Sequence, residues 1–193
     1  MAPQQPIDSL QPLKTTQART PEEEANRLYS EGLDYCRRAS DLEKQAASES
    51  DARKQEKLRT KIRGRYLDAV KKFSAATAKG PRHFSAWGNL GHAYLKTGNA
   101  AAALDACGKA LTIQTNYSAA MECRGEALLG LNRLDDVKAA YESLASLDPT
   151  RADELAAAID RWLAKKKSDP AGVDPARLDD LAQWAARLKP AGA

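Results

Sequence analysis

The chain has 193 residues and a formal net charge of +4, with 29% charged and only 6% aromatic residues. That length bounds it to one compact unit, and the dominance of Ala, Leu, Glu, Lys and Arg favours helix over sheet. No run of about 18 apolar residues exists, which excludes a transmembrane helix, and Cys36, Cys107 and Cys123 lack the spacing of a metal site.

Residues 1–19 form a polar arm with three prolines and are expected to be disordered. The arm has neither a basic start nor an apolar stretch, so no secretory signal is visible. The cytoplasm is the default location; an exported or periplasmic one stays open if a leader has been removed.

The first helix is expected to begin at Thr20. Thr20 is a good N-cap, Pro21 suits the first helical position, and Glu23 completes a capping box. Glu22, Glu23 and Glu24 complement the positive helix end. The helix runs through Leu28, Tyr29, Gly32 and Tyr35 into Arg37–Arg65, a stretch of good helix formers with no proline and one glycine, Gly64. The break is placed at Ser48–Ser50, giving two long helices in a hairpin that projects beyond the rest. Arg37–Arg65 carries ten Lys/Arg and five Asp/Glu, a local +5 against −1 for everything else. Arg53, Lys54, Lys57, Arg59, Lys61, Arg63 and Arg65 crowd the second arm. No aromatic residue interleaves them, so base stacking is poorly supported, and sparse apolar residues argue against membrane insertion. An acidic protein surface fits best, with nucleic acid the alternative.

The 34 residues from Phe84 to Tyr117 contain Trp87, Leu90, Gly91 and Tyr94 in the spacing W-x2-L-G-x2-Y, then Gly98, Ala103 and Ala110. A weaker copy begins at Ser118, with Met121, Gly125, Leu128, Tyr141, Leu144 and Pro149 at equivalent positions. A third copy precedes them but is split. Leu28, Gly32 and Tyr35 match its first part, and Gly64, Tyr66, Ala69, Phe73, Ala76 and Pro81 its second, with about 25 residues inserted near the turn. Departures include Cys107 where an aromatic is usual, Thr115 for proline, and Arg124 and Val137 in the later copy. The pattern resembles the tetratricopeptide repeat family.

The resemblance implies an all-α solenoid of stacked helical hairpins, about three repeats long, closed by C-terminal capping helices. The repeat domain is expected at residues 20–167: repeat one at 25–83 with its insertion near 37–63, repeat two at 84–117, repeat three at 118–151 and a capping helix at 152–167. Small residues at positions 8, 20 and 27 of each repeat let helices approach; large ones at 4, 7, 11 and 24 fill between layers. One such pair cannot bury its apolar face alone, so stacking supplies the core. Cys107 and Cys123 fall near one layer interface. Buried free thiols are the reading preferred, and a disulfide between them would require an oxidising compartment.

After Pro149, Leu155, Ile159, Trp162 and Leu163 give amphipathic helical spacing, with Lys165, Lys166 and Lys167 at the negative helix end. A linker at 168–175 leads to a helix at 176–189, started by Asp174 and Pro175, with Leu178, Leu181, Ala182, Ala185 and Leu188 on its apolar face and Trp184 at the edge. That helix is expected to fold back as a cap; the alternative is a self-assembly surface.

Nothing points to catalysis. His83 and His92 belong to no metal-binding spacing, the glycines near His92 are packing glycines, and no nucleophile–base order can be defended. No cofactor is expected. The family resemblance implies instead a concave groove that binds a protein or peptide. Its lining, carried over by repeat position, includes Tyr29, Leu33 and Arg37; Ser85, Gly88, His92, Leu95 and Lys96; and Glu122, Glu126 and Leu129. A subset of the family clamps an acidic C-terminal carboxylate with Lys, Asn and Arg. Of that set only Asn89 is matched here, while Tyr29, Leu33, Ala119 and Cys123 occupy the other positions. The resemblance therefore implies a scaffold or adaptor without that clamp.

Overall fold

The computed structural model describes residues 19–169 and 172–188. Apart from Arg19, the expected N-terminal arm lies outside the described residues, as do residues 170–171 of the linker and residue 189 of the last helix. The described chain is all-α, in the order α1 (Pro21–Ser48), α2 (Ala52–Lys79), α3 (Phe84–Thr97), α4 (Ala100–Ile113), α5 (Ser118–Gly130), α6 (Leu134–Leu147), α7 (Pro149–Ser168) and α8 (Pro175–Ala186). Each helix packs on the next, and α3, α5 and α7 also lie side by side. This is a helical-hairpin solenoid.

The helix starts follow local chemistry. Thr20 Oγ1 accepts from the Glu23 amide at 3.2 Å while the Glu23 carboxylate accepts from the Thr20 amide at 2.8 Å, completing the capping box. Asp51, Asn99 and Asp148 cap α2, α4 and α7 with the side chain alone, each accepting from the amide three residues on. The turn after α3 places Gly98 at φ 85°, and the matching turn after α5 places Asn132 at φ 58°. Asparagine is among the few side-chain-bearing residues that visit this left-handed region readily.

The hairpin α1–α2 differs from the others in length. Its helices have 28 residues each, against 13 or 14 for α3 to α6. At 1.5 Å per residue they are about 20 Å longer. Its base is packed: Gly32, Ala69, Phe73 and Ala76 are buried. Between Arg37 and Arg65 only Ala39 is. The Glu43 carboxylate, which accepts from Tyr66 Oη at 3.2 Å and Lys96 Nζ at 3.1 Å, marks where the hairpin leaves the stack.

Gly64 is not a turn residue. It lies inside α2, and a Cβ there would meet nothing within 4 Å. The insertion moved the repeat-one turn to Glu49–Asp51 at the hairpin tip, so the glycine equivalent to Gly98 no longer has a bend to make. By contrast, a Cβ on Gly32 would stand 2.4 Å from the Phe73 ring, and one on Gly91 would stand 2.1 Å from Cys107 Sγ. These glycines are what allow the close helix approach.

The expectation of free thiols at Cys107 and Cys123 is corrected: they form a disulfide linking α4 to α5, with Cα atoms 6.3 Å apart. The reason lies in the layer they share. Repeat one fills its aromatic position with Phe73, and repeat three with Tyr141. Repeat two has Cys107 there, in a cluster whose other buried members are Ala110, Ala120 and Cys123. With small neighbours and Gly91 above them, the sulfurs meet. Cys36 remains a free, half-buried thiol, its pKa pushed up to about 11 by burial.

The C-terminal half holds the largest core, with Leu128, Leu134, Val137, Leu144, Leu155, Ile159, Leu163 and Leu181. Helix α8 folds back on it. Leu181 and Ala185 are buried, Trp184 meets Tyr141 edge-on at 5.3 Å, and Arg177 and Asp180 pair with Asp135 and Lys138 of α6.

Candidate functional site

A cleft of about 430 Å³ lies between α3, α5 and α7. From α3 it takes Gly88, Asn89 and His92; from α5, Ala119, Glu122, Cys123 and Glu126; from α7, Arg151 and Glu154. Tyr117 closes one end. A second cleft of about 350 Å³ continues along the same helices, lined by Leu95, Leu129, Ala158, Arg161 and Trp162, and shares Glu126 with the first.

The structure thus brings together Asn89, His92, Glu122 and Glu126, then Leu95 and Leu129. Other residues expected in the groove lie elsewhere. Tyr29 packs against the Phe73 and His83 rings, and its hydroxyl accepts from Asn89 Nδ2 at 3.3 Å. Leu33 packs with the α1–α3 core, and Arg37 is exposed and pairs with Asp34. Ser85 lines a separate, more apolar hollow at the start of α1, with Pro21, Ala25, Pro81 and Phe84. Lys96 pairs with Glu43 and lies 5.6 Å from the centre of the Tyr66 ring.

Burial sets the electrostatics. Glu126 makes no hydrogen bond or ion pair with a described residue, and burial raises its pKa above the ordinary carboxylate value. Glu122 is raised by the same cause, partly offset by Arg151, whose guanidinium donates to it. Arg151 also lies 3.7 Å from both Asp148 and Glu154. His92 is accessible from the cleft, but the protein around its ring, and Lys96 beside it, hold its pKa below the usual imidazole value. The imidazole is therefore neutral at neutral pH.

Arg151 and Glu154 were missed from sequence because groove positions were carried onto α1, α3 and α5 alone, with α7 read as a capping helix. In the structure α7 packs beside α5, and Arg151, Glu154, Ala158 and Arg161 line the two clefts. The usable signal was Asp148–Pro149, a cap and helix start that put Arg151 in the first turn.

The cations of the α1–α2 hairpin form a distinct feature. Arg59 pairs with Glu56 and Arg65 with Asp68. Arg53, Lys54, Lys57, Lys61 and Arg63 are exposed and form no ion pair with a described residue. Lys54, Lys57 and Lys61 share one face of α2, beside Leu58 and against Gln45 and Ser48 of α1. Among the described residues no helix is long and apolar enough to cross a membrane, and no group of three or more His, Cys, Asp or Glu could hold a metal ion.

The sequence of residues 84–117 matches the family model described as tetratricopeptide repeat. No curated protein matches the chain in sequence. Among solved structures, the first TPR domain of human RPAP3 is similar with a TM-score of 0.55 and 22% identity, over 77% of this chain and 98% of that one. The second TPR domain of human RPAP3, in complex with an HSP70 peptide, is similar with a TM-score of 0.53 and 20% identity, over 70% and 97%. The first TPR of Spaghetti (RPAP3), bound to an HSP90 peptide, gives 0.55 and 20%, over 75% and 97%. Residues 84–117 are thus similar in sequence to one tetratricopeptide repeat, and the stacked hairpins on either side share the fold of these TPR domains.

Proposed function

We propose that this chain is a non-enzymatic scaffold or adaptor that binds a peptide or helix of a partner protein in the α3–α5–α7 cleft, aided by the basic α1–α2 hairpin. The observation that carries the reading is the cleft itself: polar anchors at Asn89, His92, Glu122 and Glu126 run directly into an apolar stretch at Leu95, Leu129 and Trp162. A peptide needs both, apolar contact for affinity and fixed polar groups for register. The peptide complexes of the similar RPAP3 domains support a peptide as the ligand class.

The hairpin's unpaired cations favour an anionic contact, and a nucleic-acid backbone is the alternative reading of them. Self-assembly through α8 has less support, because Leu181 and Ala185 are already buried within the molecule.

The test is capture of partners by the full chain, with and without nuclease, compared with two variants. Asn89→Ala/His92→Ala should lose a nuclease-resistant protein partner. Lys54→Glu/Lys57→Glu/Lys61→Glu should weaken that complex about tenfold or more if each lysine meets charge. Unchanged recovery in the second variant removes the hairpin from the reading. Recovery abolished by nuclease, with binding that falls steeply as salt rises, replaces the adaptor with the nucleic-acid alternative.

A further inference from the structure

The cleft carries the opposite charge from the hairpin. Its ionised groups are Glu122, Glu126 and Glu154 against Arg151, with His92 neutral, and counting Arg161 of the adjoining cleft, which faces Glu126 from a distance, the two clefts together are left with a net of one negative charge. Arg151 is already engaged by Glu122, Glu154 and Asp148. Lys96, the nearest cation on α3, is held by Glu43. Glu126 is left partly buried between two clefts with no ion pair. An incoming cation would relieve that cost, whereas an acidic tail would add carboxylates to three already crowded there.

Resting on the groove reading above, we propose that the occupant is a cationic peptide segment, with a Lys or Arg set against Glu126 and Glu122 and an adjacent apolar residue entering the Leu95–Leu129–Trp162 cleft. The commitment to a basic partner follows from charge complementarity. The positions where a clamp for an acidic terminus would carry Lys, Asn, Lys and Arg hold Tyr29, Leu33, Ala119 and Cys123. None of these brings the positive charge that offsets the desolvation of a carboxylate. Arg161, exposed in the second cleft, keeps a second basic residue of the peptide away from that end and so sets its register.

Two fluorescent peptides test this by anisotropy with the full chain: one alternating Lys or Arg with Leu and Ala, the other acidic and ending Glu-Glu-Val-Asp. The basic peptide should bind, and Glu126→Gln should weaken it about tenfold, the effect of one partly buried charge pair. Glu126→Lys/Glu154→Lys should shift preference toward the acidic peptide. Ala119→Trp, which fills the cleft, should abolish binding. Failure of the basic peptide to bind, or binding unmoved by Glu126→Gln, overturns the proposal. If the acidic peptide binds instead and Ala119→Trp removes it, the charge assignment falls while the groove reading stands. If Ala119→Trp moves neither peptide, both fall.

Discussion

Glu126 is a residue whose burial opposes folding. Its pKa is raised in the native state, so below the unfolded value of 4.5 both states hold the proton and the residue costs nothing. As pH rises through the raised native pKa, the folded chain must ionise a partly buried group, and stability falls. Glu126→Gln should therefore raise the Tm at pH 7 by about 2 °C, and the gain should vanish below pH 4.5. Thermal melts across that range check it; a gain that persists at low pH would assign the effect to packing. His92 has the opposite sign. Its depressed pKa contributes stability above the imidazole value of 6.5, and that stability is lost as pH falls through the native pKa. Individual residues were unevenly legible. The repeat spacing led to His92, Glu122 and Glu126. It did not lead to Arg151, which stands on a helix read only as a cap.

At the scale of helices, the glycines separate by what they face. Gly32→Ala drives a methyl into the Phe73 ring and should destabilise by about 2 kcal/mol or more. Gly64→Ala puts its methyl into open space inside α2, where alanine is the better helix former, and should stabilise by about 0.5–1 kcal/mol. Opposite signs in denaturant melts are the expected result; destabilisation by both would mean that Gly64 bends α2. Repeat position alone gives Gly32 the right role and Gly64 the wrong one. Position implies a turn, but the insertion carried the turn to the hairpin tip. The hairpin itself was readable, because a long run of helix formers broken at Ser48–Ser50 has few other forms.

At the scale of the whole molecule, the layers are not equally held. The C-terminal core is built from large aliphatic side chains, whereas the buried centre of the layer joining α4 to α5 is Ala110, Ala120 and the disulfide, with Trp87, Leu95, Leu111 and Tyr117 only partly buried around it. Closing a loop of sequence separation 16 is worth about 3 kcal/mol. Reduction, or Cys123→Ser, should therefore lower the Tm by about 6–12 °C and loosen the cleft, whose wall includes Cys123. Melts with and without reductant decide it; no shift would mean that apolar packing alone holds this layer.

The helical class, the repeat frame, the caps at Thr20 and Asp174 and the basic hairpin were legible in the residues alone. Each rests on spacing or propensity within a few turns of chain, where neighbours in sequence are neighbours in space. Packing between layers set the rest: Cys107 meets Cys123, Tyr29 and Leu33 pack against the first layers' core while the Tyr29 hydroxyl reaches Asn89, and Arg151 and Glu154 join the cleft. Those outcomes depend on how closely one layer can approach the next. Closeness is set by paired volumes, Gly91 against the Cys123 sulfur or Gly125 against Leu155, and the members of each pair belong to successive repeats.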